Sequence, residues 1–357
     1  MRKIIFIVSI LICFCNLLKA QLAPKYSNEF LALGVGARAA GMGGSIIASV
    51  NDVTSGYWNP AGLLDIKDNI QIVLMHNEQF AGIGKHDYGA VSFKLNTESA
   101  LSVSMIRYGV DDIPNTLNLF NNGQIDYSRI SSFSSVDYGF IGSYARKTKI
   151  EGLKIGANAK IIRRIIGDFA NAWGFGLDVG AQYKRNNWMM AAMLRDITST
   201  FNVWSYTFTN EQKQILLASN NKLPNNTLEL TVPKLILGLS RKWFVFKNQF
   251  TVMPELDADF TTDGRRNVLI NSKFFNMDPK LGLELGYANI VFLRGGINNI
   301  QQVKQIDGTK STSFDPSIGI GIKLNNISVD YALSNFGSVS SLTYSNIISI
   351  RLNIRKG

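Results

Sequence analysis

The sequence predicts an all-β fold, a transmembrane antiparallel β-barrel of about 14 strands preceded by an N-terminal plug segment. Three observations carry that prediction. Apolar and polar residues alternate with period two through most of the chain; no stretch after residue 20 is apolar enough for a membrane helix; and the connections between alternating segments are by turns short and long. Composition agrees. Of 357 residues 18% are charged, 11% are aromatic and 31 are glycine. A chain that is apolar on average but never in a block distributes its apolar residues by alternation.

Residues 1–20 read as a cleavable export signal. Arg2 and Lys3 open it, Ile4 to Leu18 is nearly unbroken apolar, and Ala20 precedes Gln21. At about 15 residues the run is short of the roughly 20 that span a bilayer as helix. Both cysteines, Cys13 and Cys15, lie inside it. The exported chain is therefore expected to lack cysteine, which excludes disulfide frameworks, thiolate metal sites and Cys nucleophiles. The net charge of +11 falls to +8 without Arg2, Lys3 and Lys19. The basic residues are scattered, with no basic helix or nucleic-acid motif, so nucleic acid is not an expected partner. Outer-membrane lipid headgroups and lipopolysaccharide phosphates fit the excess better, and a merely solvated basic surface fits it better than either.

Residues 21–64 form the expected plug. Phe30 to Gly44 is rich in Gly and Ala and suited to close backbone packing, and Asn59-Pro60-Ala61-Gly62 is a turn or helix-start signal. The barrel is expected over 65–357. Trp173, Phe175, Leu177, Val179, Ala181 and Tyr183 alternate with Gly174, Gly176, Asp178, Gly180 and Gln182, giving one apolar face and one small or polar face. Ile348, Ile350, Leu352 and Ile354 repeat the pattern against Ser349, Arg351 and Asn353. Strands are placed near 70–80, 86–96, 99–109, 134–147, 152–166, 170–185, 187–198, 231–243, 248–260, 280–288, 290–298, 315–325, 327–336 and 344–355. The long connections, 110–133, 199–230, 261–279 and 299–314, then share one side, and both termini are expected in the periplasm. Arg266 to Phe275 is assigned to a loop or a strand extension, since another spanning strand makes the number odd. Tyr138, Trp173, Tyr183, Trp188 and Tyr287 sit where interfacial aromatic girdles belong.

Gly36-x-Arg38, Met42-Gly43-Gly44, Asp52 and Trp58-Asn59-Pro60-Ala61-Gly62 resemble the N-terminal signature of the PorV/PorQ family. Val329-Asp330-Tyr331-Ala332 followed by Phe336-Gly337 resembles its penultimate-strand motif, and Glu284, Tyr287 and Leu293-Arg294-Gly295-Gly296 also fit. The chain departs at Ser338-Val339, where the family often has Leu-Gly, at Tyr344-Ser345, where it often has a His before the last strand, and it ends in Arg355-Lys356-Gly357. The resemblance implies a FadL-like barrel of the outer membrane working with the type IX secretion system. It would bind cargo proteins by their C-terminal signal domains, take them from the type IX translocon and pass them to cell-surface attachment. Leu117, Leu119 and Phe120, with Phe201, Trp204, Tyr206 and Phe208, give the two longest connections apolar residues that suit partner contact. The alternative is a FadL-like channel for hydrophobic small molecules.

No catalytic residue, metal site or cofactor is expected. His76 and His86 are the only histidines, too few for a base unless one meets a nucleophile. Asp257, Asp259 and Asp263-Gly264 lack the spacing of a calcium loop. Gly34-x-Gly36 and Gly41-x-Gly43-Gly44 lack the βαβ setting of a dinucleotide fingerprint.

Overall fold

A strand's two-residue period turns every second side chain to the same face, and in this chain the polar face turns inward. In the computed structural model, which describes residues 27–121, 124–264, 266–272, 274–304, 308–336 and 344–355, the segments of one antiparallel sheet join into fourteen staves. They are β1 (Ile70–Gln79), β2 (Gly84–Lys94), β3 (Ser99–Asn115), β4 (Ser131–Lys147), β5 (Leu153–Ile166), β6 (Ala170–Arg185) and β7 (Trp188–Arg195, resuming as Phe201–Tyr206). There follow β8 (Leu228–Leu230 and Lys234–Arg241, extended by Trp243–Val245), β9 (Phe250–Thr261), β10 (Asn276–Tyr287), β11 (Val291–Lys304), β12 (Lys310–Leu324), β13 (Ile327–Ser334) and β14 (Ser345–Ile354). Each stave pairs with its sequence neighbour, and β14 returns to β1 with Ile70 opposite Ile354 and Glu78 opposite Asn346. The sheet is thereby closed, and no edge is left unpaired.

The exposure pattern is inverted relative to a soluble domain. On β6 the outward Trp173 is 56% exposed while the inward Asp178 is 3% exposed. On β14 Ile350 is 50% exposed and its neighbour Ser349 4%. A continuous apolar exterior around a polar, filled interior is the arrangement that hydrocarbon requires, since all backbone polar groups are satisfied within the ladder.

Short turns gather at one end, and several use left-handed residues: Asn186, Asn289 and Asn325 all have positive φ, which Asn tolerates better than most. Gly152 turns with φ +79, and a Cβ there would stand 2.2 Å from the carbonyl oxygen of Lys184. The opposite end carries the long connections.

Several staves run further toward the long-loop end than alternation indicates. β3 reaches Asn115, β4 starts at Ser131, β10 at Asn276 and β12 at Lys310. These extensions carry more polar residues and no sustained apolar face, as where Gln301, Gln302 and Val303 of β11 pair with Ser313, Thr312 and Ser311 beyond a register shift after Asn298. Ile270–Asn271 forms a two-residue extension against Met277 and Asn276, not a further stave. The expected loop 199–230 is corrected more substantially. After a break at Asp196–Thr200, Phe201–Tyr206 continues β7 against β6, with Phe201 opposite Phe175. After the short helices α1 (Ala37–Gly41) and α2 (Ser55–Trp58) of the N-terminal segment, the loop proper carries helix α3 (Asn210–Ala218), which starts in a capping box of Thr209 and Gln212. The segment expected to be an export signal, residues 1–20, lies outside the described residues.

Candidate functional site: a hatch locked inside the barrel

From Ser27 to Ile66 the chain lies inside the barrel and is buried over most of its length. Two short helices, α1 (Ala37–Gly41) and α2 (Ser55–Trp58), and a 3-10 turn at Pro60–Asp65 interrupt it. So little regular structure leaves many backbone groups without partners of their own, and the barrel wall supplies them. Asp257 of β9 accepts the N–H groups of Ile46 (2.7 Å) and Ile47 (3.1 Å), while Glu255 accepts those of Ala48 (2.7 Å) and Ser49 (3.3 Å). Ser349 Oγ accepts from Ala37 N at 2.8 Å, and Gln71 Oε1 from Val53 N at 2.6 Å. Gln182 donates to the carbonyls of Ile47 (3.0 Å) and Val50 (3.2 Å).

The sequence-selected residues fall into this hatch with definite tasks. Gly36 has φ +87 and opens α1. Arg38 on α1 forks onto Glu284 of β10, Nε at 2.9 Å from Oε2 and Nη2 at 3.3 Å from Oε1. Arg294 of β11 donates to the same carboxylate at 2.7 Å and to Asp330 of β13 at 2.7 Å. Asp52 stands 4.0 Å from Arg38, is ion-paired to Arg351 of β14, and accepts from Thr54 N at 2.9 Å and Thr54 Oγ1 at 2.5 Å. Burial alone would push the Asp52 carboxyl up; Arg351, Arg38 and the Thr54 donors outweigh it and hold it below the usual carboxylate range. Burial disfavours the Arg38 cation, but Glu284 and Asp52 more than compensate and keep the guanidinium firmly charged. Five elements of the fold thus meet in one ionic cluster.

Met42 is fully buried against Gly282 and Gly296. Gly43, at φ +63, passes so close to β11 that a Cβ would lie 2.8 Å from Ile297 N. Trp58 donates its indole N–H to Val35 O at 2.8 Å, and Arg195 of β7 covers the rings of Tyr57 (4.4 Å) and Trp58 (5.6 Å). Asn59 caps the 3-10 turn by accepting from Ala61 N at 3.2 Å, with Pro60 at the first position. At Gly62 a Cβ would meet Val50 O at 2.5 Å. Tyr331 is the exception. It lies beside Asp330 in sequence and so on the opposite face of β13, outward, with its hydroxyl 2.7 Å from Asn346.

Sequence reasoning missed the hatch-binding roles of Glu255, Asp257, Gln182, Arg195 and Arg351. Strand parity held the signal, because each falls on the inward positions of its stave. Asp257 and Asp259, weighed for calcium, are engaged elsewhere: Asp259 is bridged by Lys234 and Lys280, each at 3.0 Å. His76 contacts Asp87 at 2.7 Å on the exterior, and both ring nitrogens of the buried His86 lack a hydrogen-bond partner among the described residues.

Three spaces flank the hatch and loops. A cavity of about 680 Å³ lies between hatch and long-loop end, floored by Phe30, Leu33, Val35 and Trp58 and walled by charged groups including Asp259, Lys280 and Asp278. A recess of about 170 Å³ lies on the short-turn side. Among the long connections, a groove of about 470 Å³ is lined by Leu117, Phe133, Phe169, Phe208, Leu216 and Pro224. Phe133 and Phe169 meet edge to face at 5.2 Å, and Phe169 stacks with Phe208 at 6.2 Å. Leu117 and Phe208 thus come together. The loop position expected for Phe201, Trp204 and Tyr206 is corrected: these belong to β7, with Phe201 outward and Trp204 only 5% exposed, turned inward beneath the Arg164 guanidinium at 5.0 Å. The side chain of Phe120 lies outside the described residues.

Fold and site define a class: a closed fourteen-strand antiparallel barrel with an apolar exterior and its lumen filled by an N-terminal hatch. Among solved structures it is similar to the Pseudomonas putida toluene transporter TodX (TM-score 0.60, 14% identity, covering 91% of this chain and 99% of that one). It is also similar to the monoaromatic hydrocarbon channel CymD (0.57, 13%, 90% and 98%) and the Ralstonia pickettii toluene transporter TbuX (0.54, 13%, 90% and 99%). At these identities the likeness is one of fold. Neither a family model nor a curated protein matches the sequence.

Proposed function

We propose that the protein is an outer-membrane barrel that captures a hydrophobic small molecule at its long-loop face and admits it past the hatch. In this reading the long-loop end faces outward and the short turns and barrel ends face the periplasm. The observation that carries it is the apolar groove of Leu117, Phe133, Phe169, Phe208 and Leu216 at that end. Its size falls in the range of small-molecule sites, roughly 300–1,000 Å³, and its lining is chiefly aromatic and aliphatic, with Lys222 the charged side chain among the residues that border it. The TodX, CymD and TbuX folds belong to transporters or channels of aromatic hydrocarbons, which favours this reading.

A second reading has its own support. The PorV/PorQ-like signature residues Arg38, Asp52, Glu284, Arg294 and Asp330 form the ionic cluster that shuts the lumen. A barrel that presents its loops to cargo signal domains, within type IX secretion, needs no open lumen, and the same groove would receive an apolar polypeptide surface. Isolation of the tagged protein from its native outer membrane in mild detergent separates the two. Extraction of a bound hydrophobic compound, lost in Phe169→Asp, supports the conduit. Recovery of a large translocon or of proteins sharing a C-terminal domain, with no bound compound, replaces it by the secretion role.

A further inference from the structure

Charge is unevenly distributed between the barrel's ends. Around the short turns and the start of β1 stand Lys67, Lys147, Lys149, Arg185 and Lys247, against Asp65, Asp68, Glu98 and Glu151, of which Asp65 is paired with Lys154 and Asp68 with Arg355. The recess on this side gathers three more cations from separate staves, Lys184 of β6, Lys242 at the end of β8 and Lys323 of β12, around Arg351. Lys184 and Lys323 occupy inward positions, in parity with the buried Gln182 and Gly321. The Lys242 ammonium lies 5.5 Å from the Phe244 ring. None of the three lysines has an acidic partner among the described residues. The acids nearby are already engaged: Glu284 by Arg38 and Arg294, Asp330 by Arg294, Asp52 by Arg351, and Asp68, near Lys323, by Arg355 at 2.7 Å.

A recess with low-dielectric walls and a surplus of one sign concentrates its field on whatever enters. Lipid headgroups border the outer flank of the barrel, whereas these lysines point into its mouth. We propose that this mouth docks an acidic segment of a partner polypeptide on the short-turn side, its carboxylates entering among Lys184, Lys242 and Lys323. A space of about 170 Å³ admits one or two carboxylate side chains and no folded domain. The flanking turn cations extend the attraction to the rest of the segment. This role stands apart from whatever the long-loop groove binds.

The test uses the full-length protein in detergent micelles and a fluorescently labelled oligoglutamate peptide, read by anisotropy. Binding is expected, weakened by high salt as exposed charges are screened. The triple variant Lys184→Gln/Lys242→Gln/Lys323→Gln should weaken it by about tenfold or more, and Lys149→Gln/Lys247→Gln, on the outer turns, by less than about threefold. Circular dichroism verifies that each variant remains folded. Absence of binding by the unaltered protein overturns the proposal. So does equal weakening in the two variants, which assigns the charge to a diffuse rim. Displacement of the peptide by phosphatidylglycerol micelles from unaltered protein and triple variant alike overturns it in favour of a lipid surface.

Discussion

At Glu284 two guanidiniums, Arg38 from the hatch and Arg294 from the wall, converge on one buried carboxylate. Its replacement leaves two buried cations short of a counter-charge, a loss of about 3–5 kcal/mol for a pair of this kind. Glu284→Ala should therefore free the hatch, seen as faster tryptic cleavage after Arg38 with the barrel still resistant. Asp52 gives the lock a defined pH response. Its folded carboxyl sits below the unfolded value, so its contribution is complete above roughly pH 4 and is lost as pH falls through the lowered folded value. Hydrogen exchange of the hatch in the native protein and in Asp52→Asn should differ by a constant amount from about pH 8 to about 5, and the difference should shrink at lower pH. A constant difference down to strong acid would refute a charged Asp52.

Among the elements, the hatch depends on backbone approaching backbone. Gly43→Ala forces a Cβ to within 2.8 Å of Ile297 N at a positive φ, for a cost on the order of 1–3 kcal/mol. Hatch exchange should quicken while the melting of the barrel ladder is unchanged. The membrane-spanning parts of the staves were legible because lipid demands alternation, and Trp173 or Ile350 announces its face by its neighbours. The ends of β3, β11 and β12 were not, since beyond the apolar belt of the exterior neither face is under that demand. Phe201–Tyr206 was hidden for another reason: the break at Asp196–Thr200 interrupts β7, and Trp204 inverts the usual polarity by turning an aromatic inward under Arg164. The capping box of Thr209 and Gln212 was readable and went unread. Within the site, the hatch residues stood out by their Gly, Ala and Asn-Pro chemistry. Their partners on the wall, Glu255 and Asp257 above all, look like any lumen-facing polar residue until the hatch backbone is seen against them.

For the whole molecule, the hatch is what stands between a barrel and a pore. Deleting residues 27–64 removes the side chains and backbone that fill the lumen, while the fourteen-stave ladder keeps its own hydrogen bonds. In planar bilayers the truncated protein should conduct steadily, at least about tenfold above the intact one, since barrel diameter grows with strand number and fourteen strands lie well above the roughly eight whose interior side chains fill alone. Equal conductance would mean that the loops, not the hatch, close the passage.

The seam between β1 and β14 also has a temporal meaning. The cluster that fixes the hatch draws on Arg351 of β14, so the Asp52 contact to it is unavailable until β14 has been made and zipped to β1. Closing the wall and completing the lock on its contents are therefore one step. A barrel lacking β14 is an open trough whose guest is still held by Glu255, Asp257, Gln182 and Glu284 but has lost the ties to Ser349 and Arg351.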